Sequence, residues 1–342
     1  MRVLRLDPAD DEAIRGCHDV LEAVARADDP AEPPSSLRYF GSEFLGNWDG
    51  SPAEIWYAPG EDGFPARGWY KVVFPDLHNR HWAYIDVIVH PARRRAGLGT
   101  GLLRHAAGRA AANGRTLFGS AVQESSAGEM WARHLGATIG DPDVRRVQDL
   151  RKIPDGTVAR LRETAQQAAS GYSLVHWTGV TPDDLLDQMA AVQNAMNDAP
   201  HPPGIEPHRW DAQLIRERHN PRIARSSRRR HTVAAVRDAT GEMAALTVIA
   251  VDPDVPEWGH QALTTVTRPH RGHRLGLLVK AAMLDWLAET EPQLERIVTW
   301  NAASNQHMIG INDSLGYEVA GRPYRSVELP VASVAPVAGA QS

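Results

Sequence analysis

Apolar residues recur along this chain with two periods. Short apolar or alternating runs predict strands at Arg2–Leu6, "AEIWYAP", "ARGWYKVVF" and "HWAYIDVIVHP", with a Gly/Pro/Asp turn joining the second and third. Ile14, Cys17, Val20, Leu21 and Val24 fall at helical spacing, and a second helix is expected over Ser36–Phe44. "GLGTGLLRHAAGRAAANG" predicts a helix closed by Gly114. A strand "TLFGSAV", a helix "SAGEMWARHLGA" ending at Gly136 and a strand "RRVQDLRK" follow. The polar span Pro154–Ser170 reads as a linker helix, after which the order restarts. "YSLVHWTG" is a strand, "TPDDLLDQMAAVQNAMND" and "PHRWDAQLIRERH" are helices, and "HTVAAVRDATGEMAALTVIAV" is a hairpin. Then come a strand "HQALTTVTRP", a helix "LGLLVKAAMLDWLAET", a strand "ERIVTWNA" and a helix "SNQHMIGINDSLGY".

Each half therefore reads strand–helix–helix–strand–strand–strand–helix–strand–helix–strand, and the spacing within the halves supports a duplication. Val89 lies five residues before Arg94 and Arg94 five before Gly99; Val266, Arg271 and Gly276 repeat both intervals. The glycine after the last helix is Gly136 in one half and Gly316 in the other. The expected organisation is a domain over 1–152, a linker helix over 153–170, a second domain over 171–330 and a disordered Ala/Pro/Val-rich tail over 331–342.

Composition narrows the function classes. A hydrophobic content of 42% and a charged content of 23% are ordinary for a globular protein. A net charge of -5 leaves no electrostatic footprint for nucleic acid or an anionic membrane. The single cysteine, Cys17, excludes an internal disulfide and fits a reducing compartment. The N-terminus lacks the apolar core of a signal peptide and no apolar run is long enough to span a bilayer, so a cytoplasmic protein is expected. The 15 histidines form no metal-ligand motif, so no metal is expected.

The chemistry concentrates where a strand runs into a Gly-rich turn and a helix, at "PARRRAGLGTGLL" and again at "PHRGHRLGLLVK". Free backbone N–H groups and the helix dipole make such a turn an anion cradle, and glycine lets a phosphate approach closely. A P-loop is excluded because no Lys follows the glycines. Gly97, Gly99 and Gly101 also have the wrong spacing for a dinucleotide fingerprint.

Arg94-x-x-Gly97-x-Gly99 after "VIVHP" resembles the Q/R-x-x-G-x-G/A loop of the GNAT superfamily of N-acetyltransferases. The likeness covers both halves. "HRGHRLGLLVK", "TWNAASNQHMIGINDSLGY" and "MNDAP" (Met196–Pro200) resemble an actinobacterial two-domain group, with mycothiol synthase a more distant tandem relative. The resemblance implies an α/β fold (α+β mixed sheet): two tandem GNAT-type acyl-CoA N-acyltransferase domains, whose central strands splay to admit the acetyl-CoA arm. It implies that the loops hold the pyrophosphate through Arg94, Arg95, Ala96, Gly97, Leu98, Gly99 and Thr100, and through Arg271, Gly272, His273, Arg274, Leu275 and Gly276. Backbone groups of Ile88 and Val89, and of Thr265 and Val266, would meet the pantetheine arm, which Asn301 and Asn305 would line. The thioester carbonyl, polarised there, is open to attack by an amine.

The chain departs from the family pattern at three points. Arg274 stands where the second loop wants its first glycine; it reads either as decay of the loop or as a guanidinium added to the phosphates. The helical tyrosine that protonates the departing thiolate in the family maps to Asn312 and to Ala132. Asn312 can still donate a hydrogen bond. A general base is needed for the amine. His260 falls where serotonin N-acetyltransferase has a strand histidine, with Glu257 nearby; a structural histidine is the alternative. In the first half, Asp86 interrupts "AYIDVIV" and needs a partner, with Tyr84 on the same face. "ARSSRRRH" (Ala224–His231) reads as a solvated strand entry, or as a contact for the CoA 3′-phosphate or an acidic acceptor. "HPPGIEPH" (His201–His208) reads as a stiff loop, whose Glu206, with Asp198, either attracts a cationic amine or is solvated surface.

The expected function is direct transfer of an acetyl group from acetyl-CoA to a primary amine of a small molecule or peptide, by a monomer or homodimer, with the second half catalytic. A silent CoA-binding or partner-binding module is the alternative.

Overall fold

The computed structural model describes residues 1–42, 47, 49–60, 65–198 and 205–334. They form two compact units. One comprises Met1–Asp143 with Gly321–Ser342 and the other Val144–Ala320.

The first unit runs β1 (Leu4–Arg5), α1 (Asp11–Asp28), α2 (Leu37–Ser42), β2 (Ala53–Pro59), β3 (Ala66–Val73), β4 (Trp82–Val89), α3 (Leu98–Ala112), β5 (Leu117–Gln123), α4 (Ala127–His134) and the first half of β6 (Thr138–Asp149). The second runs α5 (Thr157–Ala168), β7 (Tyr172–Thr178), α6 (Leu186–Asn194), α7 (Ala212–Leu214), α8 (Asn220–Arg225), β8 (Arg229–Arg237), β9 (Met243–Asp252), β10 (Val255–Val266), α9 (Leu275–Thr290), β11 (Arg296–Ala302), α10 (Gln306–Ser314) and β12 (Tyr317–Val319). The first unit thus carries the element order that the duplication predicts; the second carries it with α5 added in front and three helices, α6 to α8, where two are expected. A last strand, β13 (Tyr324–Pro330), returns to the first unit.

Alternating burial makes each sheet the middle of a sandwich. In the first unit Ile55, Tyr57 and Trp69 face α1 and α2 with Ile14, Cys17, Val20 and Phe40. Tyr70, Val72 and Ile85 point the other way, onto Leu102, Leu103 and Ala106 of α3. In the second, Leu246 and Val248 pack with Leu186, Met189 and Ile215, while Ala245, Ile249 and Val251 pack with α9.

Three sequence-based boundaries differ. Residues 153–170 are no free linker: Ala165 and Ala169 are fully buried in the second unit's core with Val279 and Met283 of α9. The second domain does not extend to 330. From Tyr324 to Pro330, β13 pairs antiparallel with β5, and its other edge takes the first half of β6. The second half of β6 instead pairs with β12, from Tyr317↔Gln148 to Val319↔Arg146. The tail expected from 331 begins later: Val331 and Val334 are buried beside α3, because they are the apolar residues that β13 carries back to that core. Residues 335–342 lie outside the described residues.

The stretch Ala224–His231 is exposed only at Ala224 and Arg225, and Arg228, Arg229 and His231 are engaged. Arg229 makes a two-point pair with Glu291 (2.7 and 2.5 Å), and His231 Nε2 lies 2.8 Å from the same carboxylate. Burial pulls Arg230 down to about 10. Clustered charge on a strand reads as surface until its buried partner, sixty residues away, is known.

Candidate active site

In both units the strand before the Gly-rich loop parts from its parallel neighbour. β4 pairs with β5 at Trp82↔Leu117, Ala83↔Phe118 and Tyr84↔Gly119, and no residue beyond Tyr84 is paired with β5. β10 pairs with β11 from Trp258↔Arg296 to His260↔Val298 and then separates likewise. Each strand continues to Val89 or Val266, so one edge of its last residues keeps backbone groups free for another molecule. The second unit adds a register shift between Gln261 and Leu263, where β10 bulges away from β9. The Gln261 side chain fills it, donating to Thr247 Oγ1, Val248 O and Leu263 O at 2.8–2.9 Å, and accepting from Lys280 Nζ at 2.9 Å.

The loops that follow share one backbone. Arg94 turns its guanidinium inward: Nε donates to Val89 O (3.2 Å), and the two terminal nitrogens meet Asp28 at 2.9 and 2.6 Å. Arg271 does the same with Val266 O (3.3 Å) and Asp198 (2.7 Å). These arginines tie loop to strand and helix end; the cradle itself is left to backbone N–H groups. Asp198, expected on the acceptor side, is thereby committed, with Arg268 also 3.7 Å away. Glu206 takes part in an interaction of its own. Ala199 and Pro200 of "MNDAP", and His201–Gly204 of the following loop, lie outside the described residues.

Two positions in each loop are left-handed. In the first they are Arg95 (φ 64°) and Gly97 (φ 78°), and in the second Gly272 (φ 89°) and Arg274 (φ 53°). Arginine and glycine have exchanged places. Arg274 therefore does not break the loop: the same turn forms, and the glycine serves the other left-handed residue. Arg95 and Arg274 are both exposed, whereas the guanidinium groups of Arg94 and Arg271 are tied down. A left-handed non-glycine residue costs about 1–2 kcal/mol. Arg274→Gly should raise the melting midpoint of that unit by about 2–4 °C in calorimetry, while weakening its hold on a phosphate ligand. A fall in stability would show that the guanidinium is structural.

Past Arg274, α9 begins without a side-chain cap, and its first intrahelical bond is Leu278 N to Arg274 O. The N–H groups of Leu275, Gly276 and Leu277 precede that bond and have no helical partner. They open on a cleft of about 920 Å³ lined by Thr264, Thr265 and Val266 of β10, the loop, and Asn305, Met308 and Ile311 of α10. In the first unit α3 begins in the same way, uncapped, with Gly101 N bonded to Gly97 O.

The comparisons with known proteins agree with this geometry. A model of the acetyltransferase (GNAT) family matches residues 21–136. A tandem GNAT protein from the clavulanic acid biosynthesis pathway superposes with a TM-score of 0.79 at 25% identity, over 96% of this chain and 98% of that one. Residues 21–136 are thus a GNAT acetyltransferase domain, and the whole chain resembles a tandem GNAT protein. A GCN5-related N-acetyltransferase from Sphaerobacter thermophilus shares the fold, with a TM-score of 0.64 at 17% identity over 96% of this chain and 95% of that one. No curated protein matches the chain.

The fold brings only part of the candidate set together. Asn305 lines the cleft as N-cap of α10, its Oδ1 accepting from Met308 N at 3.3 Å. Asn312 is fully buried two turns on, and its Nδ2 donates to Asn301 Oδ1 at 2.7 Å. One of its two N–H donors is thus already used. Ala132, the matching residue of the first unit, is buried and has no polar group to offer. His260 stands at the last paired step of β10, its Nε2 3.2 Å from Arg228 Nη2. A ring nitrogen that accepts from Arg228 leaves the proton on Nδ1. Burial, then Arg228, pulls its pKa down to about 3. The imidazole stays neutral, but it is a poor base with one lone pair occupied. Glu257 lies three residues further back, at the start of β10, its carbonyl bonded to Glu295 N. That is roughly 25 Å of strand from Thr265, so Glu257 does not share the cleft. Asp86 is exposed rather than buried, and stands opposite Lys71 on β3.

Sequence reasoning missed Asp28 and the Gln261–Lys280 pair, and did not foresee that Asp198 anchors Arg271. Lys280 did leave a signal: it is a lone charge inside the apolar run "LGLLVKAAML". Among the described residues, no cluster of His, Cys, Asp and Glu is fit to hold a metal ion, and no helix is long and apolar enough to cross a membrane.

Proposed function

We propose that the chain transfers an acetyl group from acetyl-CoA directly to a primary amine of a small molecule or peptide, and that the second unit holds the donor. The observation that carries this reading is the cleft where β10 leaves β11, which meets the uncapped start of α9. The residues fit the donor. The N–H groups of Leu275, Gly276 and Leu277 suit phosphate, Arg274 adds a free guanidinium, and the unpaired edge of Thr264–Val266 suits the amides of an extended arm. Acetyl-CoA supplies an activated thioester, and the chain orients it and excludes water. Positioning carries most of the catalysis, since His260 binds a proton weakly and neither Asn312 nor Ala132 is an acid.

The same two facts favour a second reading, a module that binds CoA without turnover. Free-thiol release across a panel of small amines and peptides separates the two. Acetyl transfer predicts thiol released only when acceptor is present. Saturable CoA binding with no release above buffer for any amine would leave the silent module standing. A cytoplasmic location and a monomeric or homodimeric state belong to the same proposal.

A further inference from the structure

Cations gather where α8 turns into β8, and two of them lack a counter-charge. Arg225 is exposed, Arg229 is paired with Glu291, and Arg228 meets His260 and takes part in a further interaction. Arg222 and Arg230 are half-buried, and neither has a carboxylate partner among the described residues. The charge that acts on Arg230 is a second cation, Arg222. His219, at the end of the turn Ile215–His219 between α7 and α8, is buried beside them with its Nδ1 unpartnered. Burial, then Arg230 and Arg222, pulls its pKa down to about 3, so the ring stays neutral. The nearby carboxylates are already used: Glu291 holds Arg229 and His231, and Asp211 caps α7. Unpaired cations in a half-buried setting cost stability unless an anion joins them.

Strand register places this cluster against the active site. Arg230 stands opposite Ala250 on β9, and Ala250 opposite His260 on β10. The three share a row and a face, the face on which Val248 packs with Leu186, Met189 and Ile215. Two strand spacings put Arg230 roughly 10 Å from His260. His260 is the last residue of β10 paired with β11. A donor arm that enters at Thr264–Val266 runs back toward that point, so the row begins where the acyl group would end. From there it leads across β9, away from α10 and the donor cleft, to two arginines that keep part of their surface open to solvent.

We propose that Arg222 and Arg230 form a binding site for an oxyanion, and that in acetyl transfer it holds the acid group of the acceptor, a primary amine that also carries a carboxylate or phosphate. The acceptor role rests on the function proposed above; the anion site does not. Guanidinium groups offer paired N–H donors that match a carboxylate or phosphate, and partial burial strengthens the attraction. The distance between Arg230 and His260 suits an acid several bonds from the amine. The site takes no proton from that amine. It anchors the far end of the acceptor and so orients the near end toward the thioester.

Binding is read first, without turnover. Inorganic phosphate and succinate are titrated by calorimetry into the full chain carrying both Gly99→Glu and Gly276→Glu, which closes the loop cradles to anions. Binding is expected there, weakened about 10-fold or more by Arg230→Met and by Arg222→Met, and largely kept by Arg230→Lys. No binding in the doubly substituted chain overturns the site, and so does binding that neither methionine variant weakens. Free-thiol release in the unaltered chain then compares ω-aminohexanoate, the aminoalkyl phosphate of matching length and the uncharged ω-aminohexanamide. The expected kcat/KM is about 10- to 100-fold higher for an acid than for the amide, with the preference erased in Arg230→Met. The better acid tells carboxylate from phosphate. Equal use of acid and amide overturns the acceptor role while acetyl transfer stands. Anion binding in a chain that acetylates no amine upholds the site and sinks the transfer reading alone.

Discussion

Glutamate at Gly276 will abolish CoA binding at the second unit, lowering affinity by at least about 100-fold. A side chain there has little room: its Cβ would lie 3.2 Å from Ile311 Cδ1 and 3.7 Å from Val266 Cγ2. A carboxylate would also occupy the mouth of the cleft, where the free N–H groups of α9 await an anion, and repel the phosphates directly. At Gly99 the built Cβ meets Val89 at 3.6 Å and the Trp131 ring at 3.9 Å, ordinary contacts, so Gly99→Glu tests charge with less disturbance of packing. Titration of both variants by calorimetry assigns the sites. A stoichiometry near two in the unaltered chain, with each variant losing one site, means that both loops bind and that the exchanged Arg and Gly are equivalent. A stoichiometry near one that survives Gly276→Glu and vanishes in Gly99→Glu would move the chemistry to the first unit. Gly276→Ala controls for folding, because a methyl group requires only a small shift of Ile311.

The second large effect is a pH dependence of stability set by Lys280. Its side chain is buried, donates to Gln261 at 2.9 Å and lies 4.8 Å over the Tyr317 ring. Burial depresses its pKa from 10.5 to about 7. From pH 7 upward the unfolded chain holds this proton more tightly than the folded one, so stability rises with pH. The slope approaches about 1.4 kcal/mol per pH unit where Lys280 alone titrates. Below pH 7 both states are protonated and the contribution is flat. Tyr317, which burial keeps protonated, opposes the trend above about pH 10. Urea unfolding between pH 7 and 9.5 should show the rise in the unaltered chain. In Lys280→Met it should be absent, with stability at pH 7 equal or higher. Parallel slopes in the two proteins would mean that Lys280 keeps its charge through contacts other than Gln261.

Much of this was legible in residue order. The repeated intervals from Val89 to Gly99 and from Val266 to Gly276 located both loops, because a strand–turn–helix fixes its own spacing. The exchanged glycine was visible as an anomaly, but its meaning needed backbone angles: "RAG" and "GHR" satisfy the same pair of left-handed residues in opposite order. The arginines could be placed in the loops, but nothing local to Arg94 or Arg271 reveals their pairing with Asp28 or Asp198. His260 and Glu257 share a strand, and their distance from the cleft follows from where that strand stops pairing. The fate of Tyr324–Pro330 was the least accessible feature. Its local pattern fits a strand in either unit, and the choice of partner is a long-range fact.

That choice has a consequence for how the protein is made. The unit that leaves the ribosome first is the last that can be finished. Until β13 arrives, the edge of β5 it covers is unpaired, and the pocket for Val331 and Val334 beside α3 is unfilled. An exposed edge with an open apolar core is a template for misassociation. A gene fragment ending near residue 152 would therefore yield a sticky product, however complete its motifs. Joining a copy of residues 321–334 to that fragment by a flexible tether should restore a soluble first unit.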